Sequence, residues 1–342
     1  MRKTLKLSMV MMLSLSVLLA GCGKKDDNAG STTGAGSDKK VEIGMVTDVG
    51  GVNDKSFNQS AWEGLQALEK DGKIKPSYLQ STKADEYITN LNKYVKGKYA
   101  LTWGIGMSLG DAIKTVAKQN PDSKLAIIDA VVDEPNVKSV TFAENEGSFL
   151  VGVVAGKMTK TNKIGFVGGT KIPVIEKFAA GFKAGVLAVN PQAKVYIEYT
   201  GAFDKPDLGK TSAATFYNDG ADIVFQAAGG TGTGVFNEAT ERVKKGEKVW
   251  VIGVDKDQSI EYPDVTLTSM VKRVDEAVKR VSQEVVDGTF KGGAEELTLK
   301  DNGVGIPDTS SKNVPADVLK LVEDYKAKIV SGEIKVPVTE EK

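Results

Sequence analysis

The sequence predicts an α/β protein built of two lobes, each a doubly wound parallel sheet, and three observations predict it. Short apolar runs of strand type alternate with stretches of helical periodicity at the spacing of βα units. The alternation restarts after residue 143. About 300 residues follow the N-terminal segment, large for one hydrophobic core and comfortable for two.

In chain order, strands are expected near 41–46 (VEIGMV), 75–80, 99–103, 124–129 (KLAIID) and 137–142, with helices near 57–71, 84–96 and 109–119. The second half repeats the layout with strands near 163–168 (KIGFVG), 193–199 (AKVYIEY), 222–226 (DIVFQ) and 248–253 (KVWVIG), and helices between them. Near-continuous apolar strands of this kind belong to parallel sheets covered by helices on both faces. In such sheets a ligand sits beyond the carboxyl ends of the strands. Those ends carry Asp48, Asp129-Ala130, Gly168-Gly169, Thr200 to Asp204, Ala227 to Gly230, and Asp255. If the two halves face each other, these loops line one cleft.

The first residues read as an address rather than as structure. Arg2, Lys3 and Lys6 precede an uncharged run from Leu7 to Ala20 that is followed by Gly21-Cys22. The run is shorter than the roughly 20 residues of a membrane-spanning helix, so residues 1–21 are expected to be a signal peptide. Small residues before a cysteine resemble the lipobox of bacterial lipoproteins. Cys22, the only cysteine of the chain, has no disulfide partner and is expected to carry lipid, which would anchor the chain on the extracytoplasmic face of the cell membrane. Residues 22–40 then read as a flexible polar tether.

Composition excludes several function classes. The chain has 45 basic and 45 acidic residues, and removing the three basic residues of the leader leaves 42 against 45, a net charge of −3. No basic excess points to nucleic acid. With no histidine at all, triads, metal sites and acid–base catalysis that use imidazole are ruled out. The only thiol is the expected lipid anchor, so a hydrolase would have to use carboxylates, lysine or an unassisted hydroxyl. No cofactor or metal is expected.

The stretch DVGGVNDKSFNQ, residues 48–59, combines a strand-end carboxylate, two glycines and an aromatic residue at the mouth of a helix. Phe57 can present a flat apolar face to a ring, with the acceptor of Asp48 and the amide of Asn58 beside it. Glycines let the backbone bend tightly and approach a ligand. By itself the loop reads equally well as an ordinary βα turn with Phe57 in the core. Phe203 follows a strand end and precedes a helix, which makes it the expected second aromatic face. Phe178 could close the edge of the pocket, although Phe178 and Phe182 are spaced so that both could be core. The glycines of AAGGTGTGVF, residues 227–236, fit neither GxxxxGK[ST] nor GxGxxG. Close backbone approach by Gly229 and Gly230 is the expectation there.

Taken together, the lipobox, DVGGVNDKSFNQ, AAGGTGTGVF, VIGVDKDQ (251–258) and SMVKRVD (269–275) resemble the basic membrane protein family, whose PnrA-like members are purine nucleoside-binding lipoproteins of bacterial ABC importers. The resemblance spans nearly all of the chain after the leader. It implies the type I periplasmic-binding-protein fold with a three-crossing hinge, the crossings falling near 143, 271 and 290 and a helix near 273–287 returning to the first lobe. The lobes would then be 41–143 with 272–290, and 144–271 with 291–335. It also implies that Asp129 meets the purine edge while Asp255 accepts from, and Lys272 donates to, ribose hydroxyls. An Asp and a Lys at strand ends can equally be a surface ion pair of small consequence. The implied partners are a purine nucleoside (inosine, guanosine or adenosine) and an ABC permease with its ATPase, served by a monomer. Two alternatives stand beside this reading: a binding lipoprotein for another solute, such as a sugar, an autoinducer or another heterocycle, and an enzyme acting on nucleosides.

Overall fold

The computed structural model describes residues 40–340. The expected leader, Cys22 and all of the tether but Lys40 lie outside the described residues. The chain begins with β1 (Val41–Thr47), α1 (Phe57–Lys70), β2 (Ile74–Gln80), α2 (Tyr87–Lys96), β3 (Leu101–Ile105), α3 (Gly110–Gln119), β4 (Leu125–Ile128) and β5 (Val137–Phe142). After α4 (Glu144–Met158) come β6 (Lys163–Gly168), α5 (Pro173–Val189), β7 (Lys194–Tyr199), α6 (Pro206–Asn218), β8 (Ile223–Ala227), α7 (Gly232–Lys244), β9 (Trp250–Asp255) and β10 (Thr266–Lys272). The chain ends with α8 (Val274–Val286), β11 (Gly293–Leu297), β12 (Val304–Gly305) and α9 (Ala316–Val330).

Two six-stranded sheets result, in the orders β11-β5-β4-β3-β1-β2 and β12-β10-β9-β8-β6-β7. The first sheet is parallel throughout. The second is parallel except at its edge, where the two-residue β12 runs antiparallel to β10. Apart from β11 and β12, strand follows strand in the same order in both lobes, so β1 to β5 correspond to β6 to β10.

The chain passes between the lobes after β5, after β10 and after β11. The last passage corrects the expectation of a crossing near 290, because β11 pairs in register with β5, Gly293 opposite Lys138 through Leu297 opposite Phe142. GGAEEL offers no apolar run, since this edge strand is largely solvated, and it has no periodicity to mark it. β10 is likewise absent from the strands that apolar runs predict. Thr266, Thr268 and Ser269 interrupt its apolar character, yet all three are buried.

Both sheets are filled by apolar side chains such as Ile43, Met45, Ile105 and Ile128 in the first and Ile164, Phe166, Phe225 and Ile252 in the second. Helix α4, apolar almost all round, is buried between lobe core and neighbouring helices, as its composition requires. Gly181 and Gly185 of α5 lie directly against the carbonyls of Asn145 and Phe149 in α4. A side chain at either position would force the helices apart, so these glycines set the depth at which α5 delivers Phe178. Among the described residues no helix is long and apolar enough to cross a membrane.

Candidate functional site

A cavity opens between the two sets of strand ends. Asp48, Phe57, Asn58, Asp129, Phe178, Phe203, Gly229, Asp255 and Lys272 all line it. Gly230 does not. It borders an adjoining outer recess, with Asn53, Gln80, Asp204 and Thr233. The glycines around it answer to packing: Gly232 leaves room for the side chain of Gln226, and Gly234 lies against the carbonyl of Pro206.

The first wall is built by the loop between β1 and α1. The carboxylate of Asp54 accepts the backbone N–H groups of Ser56 (2.9 Å), Asn58 (2.8 Å) and Gln59 (3.1 Å), satisfying the free donors at the start of α1. That capping holds Phe57 at the helix mouth. Asp48 Oδ1 accepts from Gly50 N at 3.0 Å and from Asn58 Nδ2 at 2.8 Å, and the same amide nitrogen donates to Asp54 Oδ2 at 3.0 Å. Asn58 therefore keeps only its carbonyl oxygen without a partner, rather than offering a donor and an acceptor to a ligand.

Asp129 and Asp255 occupy equivalent places, just after β4 and at the end of β9, and both have left-handed backbones with φ of 71° and 63°. Such a conformation is uncommon outside glycine, though Asp tolerates it better than most residues. It turns the chain sharply where each strand meets the cleft. Asp255 Oδ2 accepts a short hydrogen bond from the Ser56 hydroxyl of the opposite lobe. Lys272 Nζ lies 2.7 Å from Asp129 Oδ2 and 3.0 Å from Glu144 Oε1. Neither Asp255 nor Lys272 is a surface group, with side chains 6 % and 1 % exposed. Lys272 pairs with Asp129 and Glu144 rather than with Asp255.

Three rings surround the same ammonium, their centroids 5.1 Å (Phe57), 5.1 Å (Phe142) and 5.8 Å (Phe178) away. Phe178 is thus a cavity residue, while Phe182, one turn on, is fully buried against Phe225 at 5.0 Å between centroids. Phe203 stands over Gly169, where a Cβ would run into its ring. Ile172, Val174 and Ile175 complete an apolar wall on the second lobe.

Burial raises the carboxyls of Asp48 and Asp129 to about 6 and that of Asp255 to about 7. Asn58 opposes the shift at Asp48, and Lys272 opposes it at both other aspartates. Burial alone would lower Lys272, but Asp129, Glu144 and Asp255 outweigh it and hold the lysine above its ordinary value, so it stays charged. Asp129 Oδ1, Asn58 Oδ1 and Glu144 Oε2 are buried with no hydrogen-bond partner. One cation among several carboxylates and free acceptors suits a ligand that donates hydrogen bonds, and it opposes an anionic one.

Further contacts hold the lobes together around the cavity. Gln258 Nε2 donates to the Lys55 carbonyl at 3.0 Å, and Lys256 pairs with Glu63 at 2.7 Å. Strand-end reasoning passed over Asp54 and Glu144. Asp54 carried a usable signal, an Asp just ahead of a helix start. Glu144 carried none, because its partners Lys272 and Lys177 lie far from it in the sequence.

Comparison with known proteins places this geometry in a family. Residues 41–340 match the family described as ABC transporter substrate-binding protein, PnrA-like. The chain is 47 % identical to the CD4+ T-cell-stimulating antigen of Listeria monocytogenes, the match covering 98 % of this chain and 99 % of that protein. It is 42 % identical to the ABC transporter nucleoside-binding protein BmpA of Lactococcus lactis, again over 98 % and 99 % of the two chains. Among solved structures it resembles an ABC transporter solute-binding protein from Aeropyrum pernix, with a TM-score of 0.82 and 29 % identity over 88 % of this chain and 94 % of that one. The two-lobed, periplasmic-binding-protein architecture and the match across all but the ends of the described chain lead to one conclusion: the chain belongs to the PnrA-like family of ABC transporter substrate-binding proteins.

Proposed function

We propose that this substrate-binding protein captures a purine nucleoside in the cavity between its lobes and delivers it to an ABC permease. The observation that carries this reading is the pairing of flat apolar surfaces, Phe57, Phe178 and Phe203, with acceptors around one buried cation in a single cavity. A purine has two faces without hydrogen-bonding groups and an edge rich in them. The rings cover the faces, Asp129 accepts from ring or exocyclic N–H, and Asp255 and Lys272 serve the ribose hydroxyls. The backbone of Gly229 approaches the ligand on the second lobe. Several carboxylates around the cavity oppose phosphate, which favours nucleosides over nucleotides. The 42 % identity to a relative named for nucleoside binding supports the same class.

The activity is capture and release rather than turnover, through a hinge that closes over the ligand. The lipobox-like Leu19 to Cys22 supports tethering outside the cytoplasm by lipid. Mass spectrometry of ligand released from the purified protein tests the reading, together with a thermal-shift panel. Guanosine, inosine or adenosine at about 100 times its dissociation constant should stabilise the fold by roughly 2.7 kcal/mol. Stabilisation by a sugar and by no nucleoside would overturn the proposal, and free base appearing from inosine would make the protein an enzyme.

A further inference from the structure

Four carboxylates line the cavity, those of Asp48, Asp54, Asp129 and Asp255, against the single cation of Lys272. Three of the four are answered where they stand. Asp54 takes the N–H groups that open α1. Asp129 takes the Lys272 ammonium at 2.7 Å, and Asp255 takes the Ser56 hydroxyl while Lys272 lowers its carboxyl. The charge of Lys272 is in turn shared with Glu144 at 3.0 Å.

Asp48 differs from the other three. Its two hydrogen bonds, from Gly50 N and Asn58 Nδ2, both fall on Oδ1 and both come from neutral groups. The charges that act on it, Asp54 and Asp129, are both negative. Oδ2 stands beside Gly106, another lining residue, 3.1 Å from where a Cβ there would sit. Glycine thus keeps the space around that oxygen open. Asn58 adds a second acceptor. It is 1 % exposed, its amide nitrogen is spent on Asp48 and Asp54, and its carbonyl oxygen is buried with no partner. Asp129 Oδ1, also buried and unpartnered, is a third.

Acceptors without a donor among them suit a group that donates several times and accepts nothing. A hydroxyl brings one donor and two lone pairs, whereas an ammonium brings three donors, no acceptor and a charge. A carboxylate removed from water without a counter-ion is costly, and a cation beside it offsets that cost and makes a charge-assisted hydrogen bond. The aromatic walls agree, since ring faces attract cations. We propose that Asp48, with the Asn58 carbonyl beside it, is a subsite for positive charge, so that the cavity takes cationic nucleosides, with an ammonium on the sugar or a charged, methylated base, in preference to their neutral counterparts. The inference rests on the nucleoside reading of the cavity and names a charge class within it.

The test is calorimetry at pH 7.5 on two matched pairs, 5′-amino-5′-deoxyadenosine against adenosine and 1-methyladenosine against 1-methylinosine. In each pair the first compound is a cation and the second a neutral molecule of nearly the same shape. At least one cation should bind about tenfold more tightly than its partner, the usual margin of a charged over a neutral hydrogen bond. Asp48→Asn should erase that difference. The proposal is overturned if neither cation binds more tightly than its partner, or if the difference survives in Asp48→Asn. Should that variant fail to fold, Asp48→Ser removes the same charge and keeps an acceptor for the Gly50 N–H. A parent that binds adenosine, inosine or guanosine but prefers neither cation sinks this inference alone. One that binds no nucleoside, charged or neutral, sinks the nucleoside reading and the subsite with it.

Discussion

The two lobes share a topology and divide the chemistry. β1 to β5 and β6 to β10 follow the same order, and the fourth strand of each ends in a left-handed aspartate, Asp129 or Asp255. The loops after the first strands could hardly differ more. After β1 come Asp48, Asp54 and Asn58, a polar lattice that caps α1 through the Asp54 carboxylate. After β6 come Ile172, Val174, Ile175 and Phe178, and α5 starts instead on Pro173, whose missing N–H costs nothing at a helix start. At these loops one scaffold thus presents a charged jaw and an apolar jaw, while Asp255 and Lys272 carry the second lobe's charge at its other strand ends. A ligand held by both must be amphipathic, and only a closed cleft lets it use both at once.

The largest effect should come from the group where the jaws meet. Lys272→Met leaves Asp129 and Glu144 buried without their cation, and removing one member of such a buried group costs about 3–5 kcal/mol. Chemical unfolding should record that loss. A variant as stable as the parent would mean that the two carboxylates are protonated or hydrated, and that the charged jaw is not held from the other lobe.

Next come the rings, which sharpen the comparison from both sides. Stacking on a base is worth about 1–3 kcal/mol per ring, so Phe57→Ala on the first lobe and Phe203→Ala on the second should each weaken nucleoside binding about tenfold or more. Calorimetry on both variants would show whether the lobes share the faces of the ligand. If only Phe203→Ala weakens binding, Phe57 serves Lys272, beside whose ammonium it already stands, and the apolar jaw works alone.

A pH titration tests the cavity carboxylates of both lobes together. Burial holds Asp48, Asp129 and Asp255 near 6, 6 and 7, above the ordinary carboxyl value of 3.8. The folded state therefore binds more protons than the unfolded one between about pH 4 and pH 7, and stability falls as pH rises through that window. The ligand-free protein should melt higher at pH 5.5 than at pH 7.5 as far as these groups contribute. A donor-rich ligand favours the ionised carboxylates, so binding at pH 6.5 should release protons, measurable by calorimetry in buffers of different ionisation enthalpy. Proton uptake on binding would contradict the acceptor role of these groups.

The smallest change concerns Gly169, the second-lobe counterpart of the loop glycines beside Asp48. Gly169→Ala would press a methyl group against the ring of Phe203 and displace it, at a strain of about 1–3 kcal/mol. A several-fold loss of nucleoside affinity is expected with the fold retained. Unchanged affinity would show that the position of the Phe203 ring is not what the ligand reads.

Much of this arrangement was legible beforehand. The apolar runs locate nine of the strands, and the rule that ligands sit beyond strand ends points to Asp48, Asp129 and Asp255, all of which line the cavity. The misses share a physical origin. β11 is a solvated edge strand, so burial left no pattern in it, and the hinge was drawn too early as a result. Gly230 looked like its neighbours in a glycine run, but the turn after β8 carries it to the outer recess. Asn58 looked free to donate, yet two aspartates already hold its amide.

What the sequence by itself determined is the set of properties that near neighbours enforce: strand and helix, the βα order, the restart after residue 143, the aspartates at strand ends and the aromatic residues in loops. Periodicity and capping act over a few residues, and a single sequence records them directly. Only the tertiary structure decided the partners of Lys272, which meets Asp129 143 residues away and Glu144 beside another passage between the lobes. Such contacts form because the chain crosses between lobes and the lobes close on each other. A buried charge then takes whichever opposite charge the closed shape brings within reach, and no local pattern encodes that choice.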